Sequence, residues 1–78
     1  MKTVHKGKYK KLGLKISYYR RLKGYTQEQF AERLNKNAAY IGSVEAPNID
    51  RAISLDTLFD MADVLEVPAH KFLSFDED

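Results

Sequence analysis

Residues 25–45, which read YTQEQFAERLNKNAAYIGSVE, constrain the fold more than any other stretch of the chain. Thr26 and Gln29 form the Thr-x-x-Gln pattern of a capping box, which marks the first turn of a helix. Asn35 suits the left-handed conformation that ends a helix, and Asn37 suits the N-cap of the next one. The stretch therefore predicts two short helices, over about residues 27–34 and 38–46, joined by a turn of about 3–4 residues.

Each of these two helices carries apolar side chains on one face. Phe30, Ala31 and Leu34 fall together on the first helix, and Ile41 and Val44 fall together on the second. Two short helices that meet at a steep angle make a helix-turn-helix. We therefore expect this motif at the centre of the fold.

Three further helices are predicted around the motif. Apolar residues recur at helical spacing from Leu12 onwards and Gly24 follows, which predicts a first helix over about residues 12–23. Ser54 is a suitable N-cap for a fourth helix. The apolar stripe of that helix comprises Leu55, Leu58, Phe59, Ala62 and Leu65. Pro68 suits the first turn of a short final helix over residues 68–73. The predicted fold class is all-α, a compact five-helix bundle.

The composition argues against several classes of function. A chain of 78 residues without cysteine is expected to form one domain, with neither a disulfide nor a thiolate metal site. Its two histidines, His5 and His70, lie far apart, and the sequence shows no glycine-rich phosphate loop and no nucleophile beside a base. We therefore expect no enzyme, no cofactor, no metal and no small-molecule substrate. No apolar run approaches the roughly 20 residues of a membrane span, so a cytoplasmic location without membrane binding is expected.

The charges divide the chain into two unlike halves. Residues 1–37 carry eleven Lys and Arg against two Glu, a net charge of +9. Residues 38–78 carry two basic residues against nine acidic ones, a net charge of −7. Such a division favours one surface that binds a polyanion and another that faces away from it. Solubility alone, or attraction between the two halves, explains the same pattern.

The ends of the chain are predicted to differ from its middle. Residues 1–11 are rich in lysine and are predicted to form a flexible basic arm, either lying along phosphates or simply solvated. Residues 12–75 form the predicted domain, and residues 76–78 an acidic tail. Phe72, Leu73 and Phe75 are a large apolar group for a chain end. They either seal the core or form a dimer interface.

Four segments carry a resemblance to a known family. They are GYTQEQFA at residues 24–31, YIGSVE at 40–45, SLDTL at 54–58 and ADVLEV at 62–67. In this order and spacing the chain resembles the Cro and phage-repressor helix-turn-helix family, of the xenobiotic-response-element type, over roughly residues 12–73. The resemblance implies a lambda-repressor-like domain that binds double-stranded DNA, often as a homodimer. It implies a regulator of transcription, expected to be a repressor associated with the nucleoid.

The resemblance also implies roles for individual residues. Arg20 matches an arginine that pairs with the glutamate ending the third helix, here Glu45. Gln27, Asn37 and Tyr40 match positions that contact phosphate or sugar, and the third helix is expected to enter the major groove. Together with the lysines of the arm and turn, the predicted DNA-contacting residues are Thr26, Gln27, Lys36, Asn37, Ala38, Ala39, Tyr40, Ser43, Arg51, Lys10 and Lys11.

The base-facing positions depart from the family pattern. Family members usually carry several long polar side chains there, whereas this chain has Ala38, Ala39, Gly42 and Ser43. None of these can form the bidentate contacts that identify guanine or adenine. The sequence therefore predicts a DNA-binding regulator with weak direct readout. The alternative is a protein-interaction module, or an antitoxin-like partner, built on the same fold.

Overall fold

The described part of the chain folds into four α-helices and one short 3₁₀ helix. In a computed structural model of the protein, which describes residues 4–46 and 52–75, the α-helices are α1 (Lys6–Lys23), α2 (Gln27–Arg33), α3 (Ala38–Glu45) and α4 (Leu55–Leu65). The 3₁₀ helix is Ala69–Leu73. No strand occurs within these two described ranges, and the predicted compact all-α class is confirmed. The expected number of five α-helices is wrong.

The last element is a short 3₁₀ helix, whose hydrogen bonds join residues three apart. It spans five residues and follows Pro68, which has an extended ψ of 136°. The Lys71 amide donates to the Pro68 carbonyl three residues back, at 3.0 Å. Such tight turns are common as short terminal elements. Pro68 therefore precedes the element as its cap, and does not lie within it as predicted.

Helix α1 begins six residues earlier than predicted. The His5 carbonyl accepts hydrogen bonds from the amides of Lys8 at 2.9 Å and Tyr9 at 3.1 Å, so residues 6–11 are helical. Tyr9 is half-buried against the core, three residues before Leu12, and extends the apolar face of the helix. The flexible arm expected at residues 1–11 is thus helical from Lys6 onwards, and the lysines around Tyr9 obscure its apolar spacing in the sequence. Residues 1–3 lie outside the described part, as does the predicted tail at 76–78.

The helix ends follow the predicted capping signals. Gly24 adopts the left-handed conformation at the end of α1, with a φ of 90°. Thr26 Oγ1 accepts from the Gln29 amide at 3.0 Å, and the Gln29 side chain accepts from the Thr26 amide at 2.9 Å, which completes the capping box. Asn35 has a φ of 58° in the turn, and Asn37 caps α3. These local interactions fix where α2 and α3 begin.

The core lies where the helices converge. Its buried apolar side chains are Leu12, Ile16, Phe30, Ala31, Ile41, Val44, Leu58, Met61, Ala62, Leu65 and Phe72. The stripe predicted on α4 is partly wrong, because Leu55 and Phe59 are exposed and Met61 is buried in their place. Phe72 seals the core, and its ring meets Tyr19 edge to face at 5.2 Å between centroids.

Helix α1 approaches the C-terminal end of α3 closely enough to require a glycine. A Cβ atom on Gly13 would lie 2.4 Å from the Val44 carbonyl oxygen. Gly42, in contrast, leaves ordinary van der Waals space, because its Cβ would be 3.7 Å from the Gln27 amide oxygen. Gly13 is therefore the residue that sets the spacing between α1 and α3.

The described residues contain neither a membrane-spanning helix nor a metal-binding cluster. No helix in these ranges is both long and apolar enough to cross a membrane. No three His, Cys, Asp or Glu residues within them are grouped so as to hold a metal ion.

Candidate nucleic-acid interface

A buried ion pair joins the first helix to the third. Arg20 Nε donates to Glu45 Oε2 at 2.7 Å, and Arg20 Nη2 donates to Glu45 Oε1 at 3.0 Å. The third guanidinium nitrogen, Nη1, donates to the Tyr25 carbonyl oxygen at 2.8 Å. Both charged side chains are almost fully buried. This two-point geometry is the strong form of an Arg–carboxylate contact, and it holds α3 in one orientation against α1.

Gln27 adds the second helix to this network. Its Nε2 atom donates to Glu45 Oε1 at 3.1 Å, so the Glu45 carboxylate accepts three hydrogen bonds from two other helices. Within the described part of the chain, every buried side-chain nitrogen or oxygen has a hydrogen-bond partner. Because the network is fully satisfied, it favours a single arrangement of α1, α2 and α3.

The predicted base-facing residues lie on the outer side of α3. Ala39 is exposed, while Ala38, Gly42 and Ser43 are half-buried. The Ser43 hydroxyl donates to the Tyr40 carbonyl at 2.7 Å, so its donor is engaged within the helix and its oxygen still has acceptor capacity. This surface is small and offers one polar side chain.

Three of the predicted phosphate-contacting residues, Lys36, Asn37 and Tyr40, lie at the start of α3. Asn37 Oδ1 accepts from the Tyr40 amide at 2.8 Å, which leaves the Asn37 amide hydrogens for other partners. The Lys36 ammonium lies 5.1 Å from the centre of the Tyr40 ring. Thr26 is exposed, and its oxygen accepts within the capping box. Arg51 lies outside the described residues.

The two predicted lysines of the arm are in fact residues of α1. Lys10 and Lys11 are both exposed on this helix. They follow each other in a helix, so their side chains point about 100° apart around its axis. A single flat surface therefore cannot contact both equally.

Sequence reasoning missed an open groove beside α3. The groove has a volume of about 450 Å³ and lies where α1, α2 and α3 meet. Its lining residues are Leu14, Ser17, Tyr18, Arg21, Gln27, Gly42, Glu45 and Ala46. The sequence signal was the spacing of Leu14, Ser17 and Arg21 along one helical face. The apolar core face of the same helix gives a stronger pattern, which masks this spacing.

The predicted dimerisation residues do not form one surface. Phe72 is fully buried in the core, so it is unavailable to a partner and its assignment to an interface is wrong. Leu73 is 49% exposed, and Phe75 is half-buried. Leu73 and Phe75 line a second groove of about 300 Å³, which is mainly apolar and is also lined by His5, Lys8, Tyr9 and Leu12.

An exposed ion pair ties the end of α1 to the end of α4. Lys23 Nζ donates to Glu66 Oε1, and Glu66 has the left-handed backbone of a C-cap, with a φ of 58°. The hydrogen bond from Lys23, assisted by its charge, lowers the pKa of Glu66. The same hydrogen bond raises the pKa of Lys23 against a smaller desolvation effect. Both shifts favour the charged forms.

The chain matches a helix-turn-helix family model and a bacterial relative. The model described as helix-turn-helix matches residues 10–72. An uncharacterized HTH-type transcriptional regulator, YazB of Bacillus subtilis strain 168, is 42% identical over 57 residues. The alignment covers 73% of this chain and 80% of that protein.

Two solved structures share the fold. The restriction-modification controller protein C.AhdI from Aeromonas hydrophila has a TM-score of 0.80 at 26% identity, covering 90% of this chain and 99% of that one. A chain of the SinR protein/SinI protein complex has a TM-score of 0.75 at 30% identity, covering 85% of this chain and 63% of that one. With a family model that spans residues 10–72, the chain belongs to the Cro/C1-type helix-turn-helix family of DNA-binding transcriptional regulators.

Proposed function

We propose that this protein is a weakly specific transcriptional repressor that places α3 in the major groove of duplex DNA. The observation that carries the proposal is the network in which Glu45 of α3 is held by Arg20 and Gln27. It presents the outer face of α3 in a fixed orientation beside the start of α2. This is the arrangement in which a helix-turn-helix enters the major groove while its first helix crosses the backbone.

Direct base readout is expected to contribute little. Ala38 and Ala39 offer only methyl groups, which suit the thymine methyl, and Ser43 offers a hydroxyl already donating to Tyr40. Each absent bidentate contact forgoes about 1–3 kcal/mol of discrimination between bases. Specificity would then come from DNA shape and from the spacing of two half-sites.

Affinity is proposed to come mainly from phosphate contacts. Asn37 presents amide hydrogens because its oxygen caps α3, and Gln27 has one amide hydrogen that Glu45 does not use. The Lys36 ammonium lies over the Tyr40 ring of α3, and Lys10 and Lys11 are exposed on α1. The proposed phosphate-contacting residues are Thr26, Gln27, Lys36, Asn37, Tyr40, Arg51, Lys10 and Lys11.

A homodimer is proposed through the chain end, with Leu73 and Phe75 as its apolar contacts and without Phe72. Leu73 exposes 49% of its surface next to the apolar groove that both residues line. Leu73 and Phe75 themselves belong to the acidic half of the sequence, whereas His5 and Lys8 from the basic half line the other side of this groove. Such a regulator would be cytoplasmic and associated with the nucleoid.

A protein-interaction module is the second candidate. One structural relative, SinR, was solved in a complex with the SinI protein. Leu55 and Phe59 of α4 are exposed at 62% and 49%, among the acidic residues Asp56 and Asp60. An antitoxin-like protein would combine this surface with DNA binding.

The deciding experiment measures binding to random-sequence duplex DNA at several salt concentrations. The proposal predicts binding at low salt that weakens steeply as salt rises. The double variant Asn37→Asp, Tyr40→Glu should abolish binding without unfolding the domain, since aspartate also caps helices well. Lys71→Glu is the matched control, because it makes the same change of two charge units on the 3₁₀ helix. Absence of binding by the unmodified protein at low salt would favour the interaction module.

A further inference from the structure

The groove beside α3 continues along one face of α1. Leu14, Ser17 and Arg21 line the groove, and Lys10 lies one turn before Leu14. Positions 10, 14, 17 and 21 share a helix face, because spacings of four, three and four residues follow the helical period. We name this surface the α1 groove face and define it as Lys10, Leu14, Ser17, Tyr18 and Arg21.

We propose that the α1 groove face binds the sugar-phosphate backbone of the same duplex that receives α3. This inference rests on the proposed DNA-binding function and extends the contact on α1 from its lysines near the N-terminus to Leu14, Ser17, Tyr18 and Arg21. Gly42 of α3, the C-cap residue Ala46 and Gln27 of α2 line the groove opposite α1. The groove therefore opens beside the surface from which α3 would enter DNA.

The polar side of the groove suits a phosphodiester anion. Arg21 is exposed and supplies a planar guanidinium, the side chain best matched to two phosphate oxygens at once. Ser17 and Tyr18 add hydroxyl donors. Among the described residues that line the groove, Glu45 is the acidic one, and it is already compensated by Arg20 and Gln27. A phosphate would thus meet donors and, among these described residues, no unpaired carboxylate.

The apolar side of the groove suits deoxyribose. Leu14 is 55% exposed and Tyr18 is 59% exposed, although most of the exposed face of α1 is charged. The Tyr18 ring is positioned by an edge-to-face contact with Tyr19 at 5.0 Å between centroids. A DNA strand alternates anionic phosphates with sugars whose C–H groups are apolar. The combination of donors and apolar side chains in one groove matches that alternation.

The length and attachment of α1 fit a backbone contact. Lys10 and Arg21 are separated by about 16 Å along the helix axis, at about 1.5 Å per residue. That length spans several phosphates, since each strand carries one charge per about 3.4 Å of duplex axis. The close contact of Gly13 with Val44 holds this helix against α3.

The test compares Arg21→Gln with Arg33→Gln in the full-length protein. Arg33 carries the same charge, but it stacks over the Tyr25 ring at 4.7 Å and lines a separate groove with Asp60 and Asp63. Anisotropy titrations of random-sequence duplex would be run between about 50 and 200 mM salt. Arg21→Gln should lower the slope of log affinity against log salt by about 0.9, whereas Arg33→Gln should leave it unchanged.

Three further variants test the apolar and the charged residues of the α1 groove face, with Lys8 as the control position. Leu14→Asn should weaken binding without changing the salt slope, because it removes no charge. Lys10→Gln should lower the slope, whereas Lys8→Gln should not, because Lys8 lines the groove beside Leu73 and Phe75. Circular dichroism melting of each variant verifies that it is folded.

The outcomes distinguish this inference from the function on which it rests. Equal slopes for Arg21→Gln, Arg33→Gln and the unmodified protein would overturn the inference while leaving salt-dependent DNA binding intact. The inference would also be overturned if Arg21→Gln left the salt slope unchanged and Lys8→Gln and Lys10→Gln lost affinity equally. Failure of the unmodified protein to bind duplex at low salt would instead overturn the proposed function.

Discussion

Glu45 accepts hydrogen bonds from Arg20 through both carboxylate oxygens, at 2.7 and 3.0 Å, in a site where each side chain is nearly fully buried. The pair connects residues 25 positions apart and thereby joins α1 to α3. A buried charge that loses its partner is far less stable than one that keeps it. This relationship leads to the first prediction.

Glu45→Gln should destabilise the domain by about 3 kcal/mol, because it leaves the Arg20 guanidinium buried without a counter-charge. The measurement is equilibrium unfolding in urea at neutral pH. In a double-mutant cycle, Arg20→Met with Glu45→Met should lose at least about 1 kcal/mol less than the sum of the single changes. Additive losses would show that the two residues act independently.

Gly13→Ala should destabilise the protein by about 1–3 kcal/mol, because the added methyl meets the Val44 carbonyl. This loss should appear although alanine favours an isolated helix by about 1 kcal/mol over glycine. Gly7→Ala is the matched control in the same helix, since nothing lies within 4 Å of its Cβ position. Thermal unfolding should show a lower Tm for the first variant and an equal or higher Tm for the second.

Asn35→Ala should cost about 1 kcal/mol, because alanine tolerates a positive φ less well than asparagine or glycine. Asn35 has a φ of 58° between α2 and α3. Asn35→Gly should therefore be neutral or slightly stabilising. Urea unfolding of both variants provides the measurement, and equal stability of the two would contradict a conformational role for this position.

The Lys23–Glu66 pair should give a pH-dependent contribution to stability. The pKa of Glu66 is lowered from its ordinary value of 4.5, so its contribution is present above about pH 4.5 and is lost as the pH falls through the lowered value. The pKa of Lys23 is raised from 10.5, so its contribution is present below that pH and is lost as the pH rises through the raised value.

Glu66→Gln removes this contribution and retains the shape of the side chain. Between about pH 5 and 10 the variant should be less stable than the unmodified protein, by a small margin because the pair is exposed. The margin should vanish in strong acid and shrink in high salt. Urea midpoints measured across this pH range test it, and a constant margin down to strong acid would contradict the role of the charge.

Leu73→Glu should shift the proposed homodimer towards monomer without unfolding the domain, because Leu73 is exposed. Sedimentation equilibrium over a range of concentrations measures the shift. Phe72→Ala provides the contrast, since removal of this fully buried ring should cost about 3–5 kcal/mol of folding stability. An unmodified protein that remains monomeric at high concentration would reject the dimer.

Local signals made the centre of the fold predictable. Thr26, Gln29, Asn35 and Asn37 each act within a few residues of their own position, so their capping roles follow from sequence spacing alone. Gly24 ends α1 for the same kind of reason. The Arg20–Glu45 contact was expected only from the family resemblance, because spacing alone does not bring together residues on different helices.

Tertiary packing decided what the sequence pattern left ambiguous. The spacing places Phe59 in the apolar stripe of α4. In the structure Met61 is buried in the core, and Phe59 is 49% exposed. Residues 6–11 are part of α1, where Tyr9 packs against the core. The groove beside α3 depends on how three helices meet, so the spacing of Leu14, Ser17 and Arg21 indicates one wall of it but not the groove itself.

The absence of a side chain at Gly13 has a consequence for recognition. At this point the backbone of α1 lies directly over the Val44 carbonyl, with no flexible group between them whose rearrangement could change the separation. If α1 contacts the DNA backbone as proposed, it acts as a fixed spacer. The depth to which α3 reaches towards the base pairs is then set by main-chain geometry, and a larger residue at position 13 would alter that depth as well as the stability of the fold.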